Sequence, residues 1–228
     1  MKEKVVDCYT LDEATSNIGR AYPQIQTGAG PIYTTFAYLQ ERERGVLPSS
    51  FNVSFDRLII EKGAKKTDAL SCAMFSSYGY IFSEKLIALL QQFELPTYKL
   101  FKAIIQKRGT DIFYENYYAL MIEKKMYRYL AFDTMEFIDV TDRNNINTIK
   151  IRNVDEFENL WYSQHRRLKL SEDSSYIFTD KFPGEIDFFG IGAINASPTF
   201  VSKRLRDALI SHKITGLDFS EDIKLFQF

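Results

Sequence analysis

The feature that most limits how this chain can fold is a pattern written twice. Ile81-Phe82-Ser83 leads into residues 84–90, and Phe200-Val201-Ser202 leads into residues 203–209. Leu95, Tyr98 and Leu100 follow the first run, and Ile214, Leu217 and Phe219 follow the second. Each copy predicts a strand, a serine cap, a short helix, a tight turn and a second strand. Leu86, Leu89, Leu90 and Phe93 fall at i, i+3, i+4 and i+7, which is one face of an α-helix. Leu205, Ala208 and Leu209 make the matching face in the second copy. Ser83 and Ser202 stand where a hydroxyl accepts from an otherwise unpaired first-turn amide. Pro96 cannot continue the first helix, and Gly216 supplies a turn where Thr97 sits in the first copy. At a constant offset of 119 residues the copies share Ser83/Ser202, Leu86/Leu205 and Leu90/Leu209. The apolar spacing relates them more than these identities do, and two copies so far apart are not a stacked repeat array.

Around these units the chain reads as strand-rich. Residues 4–9 predict a short strand, and 10–31, with Gly19, Pro23, Gly28, Gly30 and Pro31, predict irregular loop. Residues 32–44 predict a helix ended by Gly45, and 58–60 a strand. Residues 117–122, 127–132 and 137–140 predict an antiparallel meander, with Glu123-Lys124-Lys125 as a hairpin connection. Asn153 and Glu156 form a capping-box pattern before a helix whose inward stripe is Phe157, Leu160, Trp161 and Leu168. Residues 175–178 and 186–191 predict strands, with Pro183-Gly184 turning between them. The expected fold is α+β: a mostly antiparallel central sheet with a few helices, containing similar strand-helix-strand units near 80–105 and 199–220. The 228 residues suffice for a full core. They form either one compact domain over 1–228 or two similar subdomains, about 1–130 and 131–228.

Charge and composition exclude more than they identify. A formal net charge of −1 leaves no electrostatic footprint for nucleic acid or an anionic membrane, so neither is an expected partner. No window approaches the ~18 apolar residues of a membrane span. The start of the chain lacks the apolar run of a signal peptide, so a cytoplasmic location is expected. Cys8 and Cys72 lie far apart and read as reduced thiols, not as a disulfide or metal framework. With two histidines and two cysteines, a metal site would have to be built mostly from carboxylates; no metal and no cofactor is expected.

No catalytic constellation emerges. His165 sits on the polar side of the Asn153 helix, and His212 takes the position of Phe93, where half-buried packing is expected. Phosphate-binding glycine loops and the nucleophile-elbow motif are missing, and Gly190-Ile191-Gly192-Ala193 reads as relief at a strand end. Asp133, Glu136, Asp139 and Asp142 cluster in sequence, and Asp68, Asp187 and Asp218 lie nearest the apolar runs. Nothing singles out a pair among them for acid/base work. A basic stripe, Arg166, Arg167, Lys169, Lys203, Arg204 and Arg206, reads as ordinary helix surface interrupted by Asp207.

The stretch from Phe200 to Leu209, closed by Ile214-Thr215-Gly216-Leu217-Asp218-Phe219, resembles the ending of a bacterial immunity-protein family of polymorphic toxin systems. That family is the eleventh such group and overlaps a domain of unknown function. Asp187-Phe188-Phe189 resembles the Asp-apolar-Phe strand before its last helix, and Phe82-Ser83 to Leu100 resembles the unit before its central sheet. The resemblance implies an antitoxin that binds a cognate toxin domain and occludes it, with no catalysis of its own. The motif residues Ser83, Leu86, Leu90, Ser202, Leu205, Leu209, Gly216 and Phe219 read as cap, core and turn, so the motif names no toxin-contacting residue. Exposed tyrosines of the middle sheet are the expected contacts, because Tyr, Trp and Arg anchor such interfaces. Two other classes stay open. A carboxylate-dependent hydrolase or nuclease would show a deep pocket lined by two or more of these acids. A structural or regulatory oligomeric module of a mobile element would show a self-interface above ~1,000 Å².

Overall fold

The computed structural model describes residues 4–28, 47, 55–73, 79–142, 144–172, 174–194, 198–221 and 225–227. The first half runs β1 (Lys4–Val6), β2 (Cys8–Glu13), β3 (Ile25–Gly28), β4 (Phe55–Ile60), β5 (Ala69–Leu70), β6 (Gly79–Ser83), α1 (Glu84–Leu90), β7 (Tyr98–Lys107) and β8 (Phe113–Ile122). Two 3₁₀ turns, Met126–Tyr129 and Phe132–Thr134, lead to β9 (Phe137–Asp139), β10 (Asn147–Ile149), α2 (Val154–Glu158) and a π-helical turn, Asn159–Ser163. The chain closes with β11 (Leu168–Leu170), β12 (Tyr176–Phe178), β13 (Phe188–Gly190), β14 (Thr199–Ser202), α3 (Lys203–Ser211), β15 (Leu217–Ser220) and β16 (Leu225–Gln227). The fold is α+β, with mostly antiparallel sheets.

Two sheets carry the scaffold. One has the order β3-β4-β7-β8-β6-β5, the other β13-β14-β2-β15. Their shared part is the same in register. Ala69 faces Phe82 as Phe188 faces Val201. Ser83 faces Tyr117 as Ser202 faces Cys8. Tyr98 faces Ile122 as Leu217 faces Glu13. The helices enter alike. The Ser83 hydroxyl accepts from Leu86 N at 3.2 Å, and the Ser202 hydroxyl accepts from Leu205 N at 3.1 Å. Each capping bond satisfies a first-turn amide that the helix itself leaves unpaired.

The helices then share one core. Leu86, Leu89, Leu90, Leu205 and Leu209 pack together with Phe82, Phe188 and Val201 from the strands beneath. Burying such side chains is the main favourable term, about 1.5–3 kcal/mol for each large aliphatic group. A second core, under β3, β4, β7 and β8, holds Phe55, Leu58, Ala103, Ile105 and Tyr117. A third is dense in phenylalanine, with Phe132, Phe137, Phe157, Phe178, Phe182, Phe189 and Phe200. It lies beneath the small sheet β10-β9-β11 and the sheet β1-β16-β12. Among the described residues, no helix is long and apolar enough to cross a membrane.

Several local expectations give way. Residues 10–31 hold most of β2 and all of β3, because each finds a partner far away in sequence, β14 and β15 for the first and β4 for the second. Residues 127–132 are not a meander strand but parts of two 3₁₀ turns, and they bury Tyr127 and Phe132 inward. The helix from Asn153 keeps its cap, with Asn153 accepting from Glu156 N, but opens into the π turn after Glu158, and Leu168 lies in β11 instead of on the helix. The helix expected over 32–44 lies outside the described residues.

Candidate functional site

A cleft of about 320 Å³ opens on the small sheet. Asp139 at the end of β9, Thr141, Asp142 and Asn145 in the loop that follows, and Asn147 at the start of β10 line it, and Gln164 and Arg166 face them from behind the π turn. Its walls are fixed by polar contacts. Arg166 Nη1 donates to Asp139 Oδ2 at 2.6 Å, and Asp139 Oδ1 accepts from Thr141 N and its hydroxyl at 3.0 and 2.5 Å. Asp142 Oδ1 accepts from Asn144 N at 2.9 Å and closes the loop. His165, exposed and with φ of 53°, turns the chain between Gln164 and Arg166. Ile146, 60% exposed, projects from the same loop.

Two of the acids a hydrolase would need thus line one cleft. The bonding of Asp139 does not suit a general base. Burial raises the Asp139 carboxyl, but bonds from Thr141 and Arg166 outweigh it and hold the group below the usual carboxylate range. A general base works best with a pKa near the operating pH, which this environment opposes. Among the described residues, no group of three His, Cys, Asp or Glu side chains is placed to hold a metal ion. What the cleft offers is amide, hydroxyl and carboxylate oxygens, a surface suited to hydrogen bonding with a partner's polar groups.

The other acids near apolar runs do form a pair, through equivalence instead of contact. Asp68 and Asp187 share the 119-residue offset of the capping serines. Ser83 Oγ donates to Asp68 Oδ1 at 2.9 Å, and Ser202 Oγ donates to Asp187 Oδ1 at 2.5 Å. The carboxylates continue into ion pairs, Lys85 with Asp68 at 3.7 Å and Arg204 with Asp187 at 2.5 Å. Burial raises the Asp187 carboxyl, but Arg204, Ser202 and the Glu94 amide together hold it below the usual range. The signal was present in the sequence: an acid 15 residues before each serine. Asp218 lies apart, on β15 opposite Asp12.

The glycine pair has a use the sequence did not show. A Cβ at Gly190 would stand 2.8 Å from Lys124 Cδ, and one at Gly192 (φ +71°) 1.9 Å from the Lys124 carbonyl. The two glycines make a slot for Lys124, which is buried instead of exposed at a hairpin. Burial lowers its amine to about 8. Its Nζ lies 3.4 Å from the Tyr80 hydroxyl, which in turn meets Thr199 Oγ1 at 2.5 Å.

The motif residues sit in the scaffold. Leu86, Leu90, Leu205 and Leu209 are buried, and Phe219 packs half-buried against them. Gly216 (φ +91°) passes so close to β5 that a Cβ would lie 2.0 Å from the Ala69 carbonyl. His212 is exposed and caps α3, with Nδ1 2.9 Å from the Ala208 carbonyl, so the expected half-buried packing is replaced by capping. In the basic stripe, Lys169 pairs with Glu172, Lys203 with Asp207, and Arg204 with Asp187, while Arg206 stacks over the Tyr9 ring. The middle-sheet tyrosines turn inward: Tyr117 is buried and Tyr114 and Tyr118 are half-buried, leaving Tyr98 at 36% exposure.

Neither Cys8 nor Cys72 is part of a disulfide, and burial raises the Cys8 thiol to about 12. Residues 11–223 match the model of a known family, described as Immunity protein family (Imm11). No curated protein matches the chain.

Proposed function

The chain belongs to the Imm11 immunity protein family, and from that premise we propose that it is a bacterial, cytoplasmic antitoxin that binds a cognate polymorphic-toxin domain and occludes it without catalysis. The observation that carries the reading is the extent of the family match, which takes in both scaffold sheets and the cleft. The chemistry of the acids supports it, since Asp68, Asp139 and Asp187 are each tied into hydrogen bonds and ion pairs.

The face we assign to toxin contact is the cleft with Ile146 beside it. An exposed isoleucine next to convergent polar oxygens has the make-up of an interface: an apolar anchor with hydrogen-bonding groups around it. The test is co-expression with a candidate toxin domain encoded by a neighbouring gene. Relief of toxicity together with a co-purifying complex is expected; persistent toxicity without a complex would refute the reading. Ile146→Glu is expected to weaken that complex at least tenfold while leaving the melting temperature of the free protein within about 2 °C, since exposed positions tolerate change. Unchanged affinity would move the toxin to another face while leaving the antitoxin reading intact.

A further inference from the structure

We propose that the chain is two copies of one module that have exchanged their first strands. The first copy runs from β2 to β7, the second from β8 to β15. Aligned on strand register, Tyr9 and Leu11 of β2 correspond to Tyr118 and Leu120 of β8. Asp68, Ser83, Lys85 and Leu86 correspond to Asp187, Ser202, Arg204 and Leu205.

In each copy the first strand leaves its own module. β2 lies between β14 and β15 of the second copy, and β8 lies between β6 and β7 of the first. The two insertions have the same register along their whole shared length. They also end alike: Glu123 N donates to Thr97 O at 2.8 Å, and Ala14 N donates to Gly216 O at 3.1 Å.

The aspartates cross between copies as well. Asp68 Oδ2 accepts from Thr215 N and Oγ1, both at 3.0 Å, in the loop after α3. Asp187 Oδ2 accepts from Glu94 N at 2.9 Å, in the loop after α1. Backbone bonds repeat the exchange, with Ala69 N donating to Thr215 O at 2.9 Å and Asp187 N donating to Glu94 O at 2.8 Å. Each copy thus latches the turn that follows the other copy's helix.

In two bodies related by a twofold axis, equivalent residues can touch each other only beside that axis. Tyr80 and Thr199 are equivalent, and their hydroxyls meet at 2.5 Å. The axis runs there, and the helices on either side of it share one apolar core. This is the arrangement of a strand-exchanged homodimer, written into a single chain. The joint between copies is the turn at 108–112. It is the tip of the β7–β8 hairpin, where Gly109 (φ +73°) has nothing within 4 Å of a built Cβ.

The exchange makes each copy incomplete alone, because its four-strand array lacks a central strand. The test places a protease recognition sequence after Gly109 in the full chain and cleaves the folded protein. The fragments are expected to co-elute at the size of the intact chain with a single thermal transition, and to lose structure if parted. Fragments that separate in native buffer, each keeping its own cooperative transition, would overturn the exchange. Should the insertion itself prevent folding, native-state hydrogen exchange on the unaltered chain decides. β2, β14, β6 and β8 are expected to open in one common event. Two opening free energies, dividing residues 8–107 from residues 113–220, would overturn it.

Discussion

The two strand-helix units place the same aspartate under different conditions. At Asp187 the side chain is 1% exposed, and Arg204 grips both carboxylate oxygens, Nε on Oδ1 at 2.5 Å and Nη2 on Oδ2 at 2.6 Å. At Asp68 the side chain is 16% exposed, and the cation is Lys85, 3.7 Å away and itself mostly in water. A guanidinium presents a planar fork that fits a carboxylate, whereas an ammonium is a strongly hydrated point charge on a flexible stem. The geometry of serine and aspartate is kept in both units, while the strength of the latch is not. The second unit is the one with the buried latch and the close glycine turn; the first uses Thr97 at that turn and leaves its latch wet.

The sharpest way to break this comparison is at the turn. Gly216→Ala combines positive-φ strain with a backbone overlap and is expected to cost about 4 kcal/mol. Thr97→Gly, at the equivalent position, should stay within about 1 kcal/mol. Urea denaturation of both variants reads the difference, and equal costs would mean the turns are equivalent after all.

Asp187→Ala comes next. It removes the acceptor for Ser202, Arg204 and the Glu94 amide, with an expected loss of about 3 kcal/mol. Asp68→Ala should cost about half as much, since water replaces part of what is lost. The ranking of the two midpoints is the measurement, and a reversal would show that burial is not what separates the latches.

Ser83→Ala and Ser202→Ala should each cost about 1 kcal/mol, the usual value of a lost cap. Neither should alter toxin affinity, because both hydroxyls point into the scaffold. A loss of binding at unchanged stability would place the caps in the interface.

The smallest effect is on acid stability. The Asp187 carboxyl is held below its ordinary value, so its contribution is complete above the unfolded pKa and is lost as pH falls through the folded one. Asp187→Asn should therefore flatten the dependence of the unfolding free energy on pH below about 4. A limb as steep as that of the unaltered protein would assign the acid sensitivity to other carboxylates.

Much of this was legible along the chain. The serine caps, the leucine faces of α1 and α3 and the Asn153 cap are local features, fixed by residues within one helical turn. Hence the helix positions and the α+β class could be read from spacing, while the motif residues around Ser202 and Gly216 carried the family resemblance. The strands in residues 10–31 were hidden because a strand's stability comes from its neighbours, and those of β2 lie some two hundred positions away. Lys124 misled because a lysine in a charged triplet is normally solvated; only the slot left by two glycines makes room for it.

By itself, then, the sequence determined where each helix starts, which face it buries and which family the motifs belong to. Tertiary structure alone decided that Asp68 and Asp187 each hold the loop after the other unit's helix, that Asp139 and Asp142 share a cleft, and that β2 sits between β14 and β15. The physical reason is range. Capping and amphipathic periodicity act within a few residues, whereas strand pairing and buried charge depend on groups that only the folded chain brings together.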